Sequence, residues 1–249
     1  MSLIRIGTAG WNLPPAVAAS FPGAGSHLER YARVLPCVEI NSTFYRAHRR
    51  STYERWARSV PPGFLFSVKL RKTITHEHRL EGVDDCVGAF IDEVAPLLNG
   101  GVLLVQLPPK LAFSGAIAER FFNALRSTFG GRVACEPRHA SWFSDPAEAL
   151  LAHFGVARVA ADPAILPAAA SPGGDRSFRY FRWHGTPRVY WSTYDQQRLT
   201  QFEALVSASP GPAFCIFDNT AHGGAIENAL TFDELVRCRR PDVRGAQCG

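Results

Sequence analysis

Arg182 and His184 stand two positions apart in the run YFRWHG, residues 180–185, whose other members are aromatic until it ends at a glycine. Alternate residues of a β-strand point to the same face, so the run predicts a strand that presents a guanidinium and an imidazole together. A guanidinium binds carboxylate or phosphate, and an imidazole transfers protons near neutral pH. The pair is a candidate for acid–base chemistry if other strands bring polar groups to the same place.

Charged or amide side chains also stand at or just after the ends of most other β-like runs. They are Glu39, Asn41, Lys69, Gln106, Glu136, Arg138, Asp162, Asp218 and Asn219. We predict that Glu39 and Glu136 act as general acid and base, without assigning which is which, and that His184 shuttles protons. For any single residue, the alternative is an ion pair that only stabilises the fold.

Three cations in this set, Lys69, Arg138 and Arg182, predict an anionic ligand whose developing negative charge they would stabilise. The net charge of +5 points the same way, because it comes almost wholly from arginine, whose planar fork fits phosphate and carboxylate. Gly223 and Gly224 precede a helical pattern after the last β-like run. Backbone amides at a helix start bind phosphate, although a tight turn requires the same glycines.

Aromatic residues in the predicted loops form a second group of candidate ligand contacts. Trp11, Tyr45 and Trp142 could stack on a sugar or a base, or fill gaps between the loops. Together with the arginine excess, they support an alternative hypothesis of nucleic-acid binding or processing.

The spacing of histidines gives little support to a metal site. His76 and His78 form an HxH pair, but they fall in a predicted loop rather than on one face of a strand. We therefore predict no metal-ligating residues and no evident cofactor. A single divalent cation held by strand-end carboxylates is the open alternative.

Eight β-like runs with amphipathic stretches between most of them must position these residues. The runs cover residues 3–7, 37–41, 64–69, 101–107, 132–136, 156–162, 178–185 and 213–219. That count and the chain length predict one parallel eight-stranded (β/α)8 TIM-type barrel domain over residues 1–249, with an open doubly wound sheet as the alternative. The segment 163–176 is rich in proline and glycine, which predicts an irregular β6–β7 crossover. Active sites of such barrels lie at the C-terminal ends of the strands.

Composition limits the class of protein. Of 249 residues, 46% are hydrophobic, which is enough for a sizeable core. No run approaches the roughly 18 apolar residues of a membrane span, and the first residues do not look like a signal peptide. The six cysteines form no CxxC pair, which favours reduced thiols. We expect a cytoplasmic protein that does not associate with membranes.

Seven motifs, in order, resemble domain-of-unknown-function family 72, the YecE-like proteins: IGTAGW, VEINSTFYR, FSVKLRKTITHEHRL, LLVQLPP, CEPRHASW, YFRWHG and FDNTAHGGAIENAL. The resemblance covers essentially the whole chain. It implies a TIM-type barrel and a cytoplasmic protein, and it supplies no reaction. The family's motif positions fall here on Trp11, Glu39, Asn41, Phe44, Tyr45, Lys69, Thr75, His76, Gln106, Glu136, Arg138, Trp142, Arg182, His184, Asn219 and Asn228. The resemblance thereby adds His76 to the candidate ligand contacts.

Three hypotheses for function follow from these observations. The first is an enzyme of hydrolase, lyase or isomerase type that acts on a small anionic ligand, a phosphorylated sugar or a nucleotide-like molecule, by acid–base chemistry. The second is the nucleic-acid-binding or processing protein. The third is a non-catalytic ligand sensor or scaffold, which would hold a ligand without converting it.

Overall fold

The β-like runs form the strands of one sheet in the computed structural model, which describes residues 4–239. The strands are β1 (Ile4–Ala9), β2 (Cys37–Ile40), β3 (Leu65–Lys69), β4 (Val102–Gln106), β5 (Arg132–Glu136), β6 (Val156–Arg158), β7 (Ala160–Asp162), β8 (Gly173–Gly174), β9 (Arg179–Trp183) and β10 (Ala213–Phe217). Hydrogen-bonded neighbours follow the order β7-β9-β10-β1-β2-β3-β4-β5-β6-β8. All these pairs are parallel except that of β6 with β8.

Strands β6 and β7 are the two halves of the sixth predicted strand, and only Val159 separates them. β6 pairs with β5, whereas β7 pairs with β9. The sheet therefore closes through this broken strand into a barrel with eight strand positions. The predicted TIM-type barrel is confirmed, and the alternative of an open doubly wound sheet is wrong.

The crossover after β7 is irregular, as its proline and glycine content predicts. It holds a short 3-10 turn, Pro167–Ala170, and the two-residue strand β8, which pairs with β6. Both residues of β8 are glycine, so this strand brings no side chains to the barrel.

Eight α-helices occur in residues 4–239. They are α1 (His27–Ala32), α2 (Ser42–Tyr45), α3 (Arg50–Arg58), α4 (Asp84–Val94), α5 (Gly115–Thr128), α6 (Asp145–His153), α7 (Gln196–Ser207) and α8 (Gly224–Cys238). Helix α5 shows why they form: Ala118, Phe121, Phe122 and Leu125 recur at helical spacing and are buried on one face. No helix within residues 4–239 is long and apolar enough to cross a bilayer.

The core has two layers because each strand is buried on both faces. Inside the barrel lie Cys37, Val102, Leu104, Ala134, Ala157, Val159, Phe178, Tyr180, Phe214 and Ile216, whereas alternate residues such as Leu103 and Val105 pack against the helices. Each fully buried Val, Leu or Phe side chain contributes about 1.5–3 kcal/mol to the stability of the fold. Apolar side chains thus fill the barrel toward the N-terminal ends of the strands, and polar groups occupy the C-terminal end.

The cysteines of the strands are buried. Cys37, Cys135 and Cys215 are fully buried, and burial raises the pKa of each thiol. These thiols are therefore poor nucleophiles. Cys248 lies outside the described residues.

Candidate functional site

Arg182 lies at the centre of the polar end of the barrel. Its Nε and Nη2 lie 2.9 Å from Glu39 Oε2 and 2.6 Å from Glu39 Oε1, and its Nη1 lies 2.5 Å from Glu136 Oε2. Nη2 also donates to Asp218 Oδ2 at 2.9 Å. The guanidinium is 1% exposed. One side chain from β9 therefore joins carboxylates supplied by β2, β5 and the end of β10.

His184 bonds to two of the same carboxylates. Its Nδ1 lies 2.9 Å from Asp218 Oδ2, and its Nε2 lies 2.9 Å from Glu136 Oε1. His184 Nε2 also lies 2.9 Å from Arg138 Nη2, so this ring nitrogen faces both a carboxylate oxygen and a guanidinium donor. Arg138 Nη2, 2.6 Å from Glu136 Oε1, completes the group. Three carboxylates then face two guanidinium groups and one imidazole.

The buried network lowers the pKa of two of its carboxylates, Glu136 and Asp218. Burial alone would raise the pKa of Glu136, but Arg138, Arg182 and His184 hold that pKa well below its ordinary value. Burial would also raise the pKa of Asp218, but Arg182 and His184 outweigh that effect and lower it. Burial would lower the pKa of Arg182, but the carboxylates, chiefly Glu39, raise it above its ordinary value. Such carboxylates are weak bases, and the arrangement favours an electrostatic or orienting role for them.

Tyr180 supports the network from below. Its hydroxyl lies 2.9 Å from Glu39 Oε2 and 2.7 Å from Ser67 Oγ, inside the barrel. Sequence reasoning did not single out Tyr180 or Ser67. The available signal was position, because Tyr180 stands two residues before Arg182 and so faces the same way.

Lys69, the last residue of β3, differs from the other cations of the site. It is 8% exposed, and its Nζ lies 4.2 Å from the centroid of the Phe44 ring. In the part of the chain that the structure describes, its ammonium takes part in no ion pair. Burial and the neighbouring Arg182 lower the pKa of Lys69 to about 8, against the opposing effect of the nearby carboxylates. Lys69 is therefore the cluster's amine that can lose its proton near neutral pH.

The partly exposed candidates lie at the rim of this network. Asn41 Nδ2 is 3.5 Å from Asp218 Oδ1, and Gln106 stands opposite Glu136 in the β4–β5 register. His76 packs edge-to-face on Phe44, with 4.9 Å between ring centroids. Asn41, Gln106 and His76 are all half-buried, so each can reach both the network and solvent.

A cleft of about 390 Å³ adjoins the network at Asn41. Trp11 and Gly223 also line it. Gly223 precedes α8 with φ of 82°, a conformation that favours glycine, and Gly224 is the first residue of that helix. The N–H of Ala225 already donates to the carbonyl of Asn219, which leaves fewer free amides at this helix start. Phosphate binding there stays a prediction.

Two predicted ligand contacts, Asp162 and Asn219, are directed elsewhere. Asp162 does not face the barrel axis: it accepts hydrogen bonds from Thr186 at 2.7 Å and Tyr194 at 2.9 Å and pairs with Arg198. Asn219 is fully buried and donates to Ser192 and to Asn228. Both residues hold the loop after β9 in place.

Trp142 is not part of an exposed rim. It is 1% exposed, donates from Nε1 to the carbonyl of Leu111 at 2.9 Å, and packs on Phe113. Tyr45, by contrast, is 75% exposed beside the site. Of the aromatic candidates, Tyr45 and Trp11 can therefore reach a ligand directly.

The loop after β9 covers His184. Gly185 turns the chain with φ of 94°, and the ring of Tyr190 lies 5.8 Å from the imidazole at a right angle. Tyr190 itself is 43% exposed. This loop thus forms one wall of the barrel mouth.

The described residues contain no group of three or more histidine, cysteine, aspartate or glutamate side chains arranged to hold a metal ion. In the network, oxygens of Glu39, Glu136 and Asp218 face Arg182 and His184 instead.

Comparisons with known proteins place this geometry in context. A family model described as "Protein of unknown function DUF72" matches residues 5–247. The UPF0759 protein YecE of Escherichia coli O157:H7 is 30% identical over 166 residues, 66% of this chain and 59% of YecE. The UPF0759 protein YunF of Bacillus subtilis is 22% identical over 278 residues, 94% of this chain and 95% of YunF. In the YecE match, the chain therefore spans about three fifths of the relative.

Solved structures of similar proteins share the fold. A DUF72 family protein from Enterococcus faecalis superposes with a TM-score of 0.77 at 21% identity, over 99% of this chain and 100% of that one. A DUF72 family protein from Thermotoga maritima also gives 0.77, at 24% identity, over 94% of this chain and 99% of that one. At these identities the likeness concerns the barrel alone.

Proposed function

The chain belongs to the DUF72 family of proteins of unknown function, as the motifs of its sequence predict, and we propose that it is an enzyme acting on a small anionic ligand at the C-terminal mouth of the barrel. The ligand class proposed is a phosphorylated sugar or a nucleotide-like molecule. The reaction is an acid–base one of lyase, isomerase or hydrolase type.

One observation carries the proposal: an extensive buried charge network lies directly beneath partly exposed polar groups and beside a cleft. Arg182 binds three carboxylates at once, which keeps a large set of charges fixed in a water-poor environment. Fixed charges of this kind stabilise charge that develops in a transition state without reorganising. A barrel that needed only stability could fill the same space with apolar side chains.

The anionic character of the ligand is supported by the cations that reach the rim. Lys69 forms no ion pair in the described chain, and the side chain of Arg138 is 17% exposed above its bond to Glu136. Either can bind phosphate or carboxylate, Arg138 with two parallel hydrogen bonds. The half-exposed Trp11 and the exposed Tyr45 offer apolar surface for a ring.

A ligand screen tests the proposal. Thermal unfolding is followed with inorganic phosphate, ribose 5-phosphate, glucose 6-phosphate and AMP, and with ribose and glucose as uncharged controls. We expect the phosphorylated compounds alone to raise Tm, and Arg138→Gln to reduce that shift. Stabilisation by none of the phosphorylated compounds would overturn the anionic ligand class.

Turnover is tested on every compound that binds. Wild-type protein and Glu136→Gln are incubated with it, and the products are followed by phosphorus and proton NMR. Conversion by wild type and a loss of about a hundredfold or more in the variant are expected for a residue that stabilises the transition state. Tight binding without conversion would instead favour a sensor or scaffold.

A second candidate function, nucleic-acid binding, is favoured by exposed aromatic residues at the same end of the barrel. Trp191 is 40% exposed with the guanidinium of Arg188 4.0 Å from its ring centroid, and Tyr45 is 75% exposed. Aromatic rings beside arginines stack on unpaired bases. An oligonucleotide titration at several salt concentrations tests this candidate, which requires an affinity that falls steeply with salt.

A further inference from the structure

We propose that Lys69 is a covalent catalytic residue, whose Nζ forms an imine with an aldehyde or ketone group of the substrate. The inference rests on the proposed function, because it narrows the substrate of that same site to an anionic carbonyl compound.

The position of Lys69 sets it apart from the other lysines of the chain. The sequence has only three, Lys69, Lys72 and Lys110. Lys72 is half-exposed and paired with Glu77 at 3.2 Å, and Lys110 is exposed. Lys69 alone ends a barrel strand, is 8% exposed and reaches the polar network.

The surroundings of Lys69 disfavour its charged form. Although Glu39, Glu136 and Asp218 are close enough to influence it, their oxygens are bonded to Arg182 and His184. The ammonium group lies 4.2 Å from the centroid of the Phe44 ring, a cation–π contact that favours the charged form but is outweighed by burial and by the neighbouring Arg182. Desolvation and a neighbouring cation together activate the amine of a lysine as a nucleophile.

The titration of Lys69 is consistent with this geometry. Burial and Arg182 lower its pKa to about 8, while Glu39, Glu136 and Asp218 limit the shift. About a quarter of the amine is then neutral at about pH 7.5, compared with about a thousandth for an ordinary lysine. The neutral amine, with its free lone pair, is the reactive form.

The step balances without an added oxidant or reductant. Nζ attacks the carbonyl carbon, the N–C bond forms, and one N–H proton passes to the carbonyl oxygen. The second N–H proton leaves with that oxygen as water, while the C–O bond breaks and the C=N bond forms. The imine, once protonated, withdraws electrons from the adjacent carbon. It therefore promotes cleavage of a neighbouring C–H or C–C bond, which is isomerase or lyase chemistry.

Two neighbours are placed to assist. His76 packs on the same Phe44 ring that Lys69 faces, and burial, Lys69 and Lys72 lower the pKa of His76. A neutral imidazole there can carry the protons of imine formation. Arg138 at the rim would bind the anionic group of the carbonyl compound.

Reductive trapping tests the inference on the folded protein. The probes are two anionic aldehydes, pyridoxal 5′-phosphate and the smaller glyoxylate. Pyridoxal, which lacks the phosphate, is the matched control compound. Sodium borohydride reduces any imine to a stable amine, and peptide mass spectrometry reads the labelled site and its rate. Wild type is compared with a double variant, Lys72→Arg and Lys110→Arg, in which Lys69 is the only lysine.

We expect Lys69 to be labelled at least about tenfold faster than Lys72 or Lys110 near neutral pH, because its neutral fraction is so much larger. The labelling rate of Lys69 should rise with pH to a plateau, with a midpoint near 8. Labelling of Lys69 no faster than that of the other two lysines, with both anionic probes, would overturn the inference.

The two proposals can fail separately. If Lys69 is labelled fast but pyridoxal reacts as quickly as its phosphate, the covalent lysine stands and the anionic ligand class fails. If phosphorylated sugars bind and turn over while Lys69 stays unlabelled, the proposed function stands and the covalent lysine is overturned.

Discussion

Arg182 and Glu39 join β9 to β2 across the barrel mouth through two parallel contacts, Nε to Oε2 at 2.9 Å and Nη2 to Oε1 at 2.6 Å. The two strands are not neighbours, because β10 and β1 lie between them in the sheet. Both side chains are buried, at 1% and 0% exposure. This forked pair is therefore an interior cross-link, and either partner alone would be a buried, uncompensated charge.

The first prediction concerns this cross-link. Arg182→Lys keeps the charge but cannot form two parallel bonds to Glu39 and also reach Glu136. We expect the free energy of unfolding to fall by about 3–5 kcal/mol, measured by urea denaturation. Tyr180→Phe is the matched control, because it removes one hydroxyl from the same carboxylate and should cost only about 1 kcal/mol. Equal losses in the two variants would show that the fork has no special role.

The second prediction concerns acid stability and Glu136. The pKa of Glu136 is lowered well below 4.5 in the folded state, so the folded protein binds this proton less readily than the unfolded chain. The resulting stability is fully present above about pH 4.5 and is lost as pH falls through the folded pKa. Glu136→Gln should therefore lower stability at neutral pH and flatten its decline in acid.

Urea denaturation between about pH 3 and pH 7 measures this decline. Glu54→Gln, which breaks an exposed pair with Arg50, is the control and should follow the wild-type curve within about 0.5 kcal/mol. An acid decline as steep in Glu136→Gln as in wild type would contradict the assignment.

The sequence predicts the barrel and most of its central cluster, because eight β-like runs with polar ends leave few other architectures. Its failure at Asp162 has a physical cause. In the run VARVAAD, Arg158 and Asp162 lie on the outward face, and both are buried because the helices and loops cover that face. A buried charged residue in a strand that is covered on both sides therefore does not mark the inward face. Val159 faces inward, which turns Asp162 outward toward Thr186 and Tyr194.

Trp142 shows a second limit. Its indole is buried against Phe113 and bonded to Leu111, about thirty residues earlier in the chain. Packing between two loops leaves no periodic signal in either one. The pairing of the strand-end groups likewise depends on distances between strands. So does the finding that Lys69 takes part in no ion pair among the described residues.

The third prediction separates the support of the β9 loop from the chemistry of the site. Asp162 accepts from Thr186 and Tyr194 and pairs with Arg198, away from the central network. Asp162→Asn should lower the free energy of unfolding by about 1–3 kcal/mol. The rate of reductive labelling at Lys69 should stay within about twofold of wild type, because no bond of the network is changed. A tenfold slower labelling of Lys69 would show that Asp162 belongs to the site.

The fourth prediction is that Lys69 lowers the stability of the protein at neutral pH. Its folded pKa of about 8 lies below the ordinary 10.5, so the folded state resists the proton that the unfolded chain retains. Between these two pH values the unfolded state binds more protons, and stability rises with pH across this window. Below about pH 8 the full penalty applies, up to about 3 kcal/mol at 1.36 kcal/mol per pKa unit.

Lys69→Met tests this penalty, since methionine fills similar space without a charge. We expect the variant to be about 1–3 kcal/mol more stable than wild type at pH 7, with the difference shrinking toward pH 10. Urea denaturation at several pH values measures both curves, and Lys110→Met at an exposed position should show neither effect. Residues that act in chemistry are often the ones whose removal stabilises a fold. A less stable Lys69→Met at every pH would instead assign Lys69 to the support of the barrel.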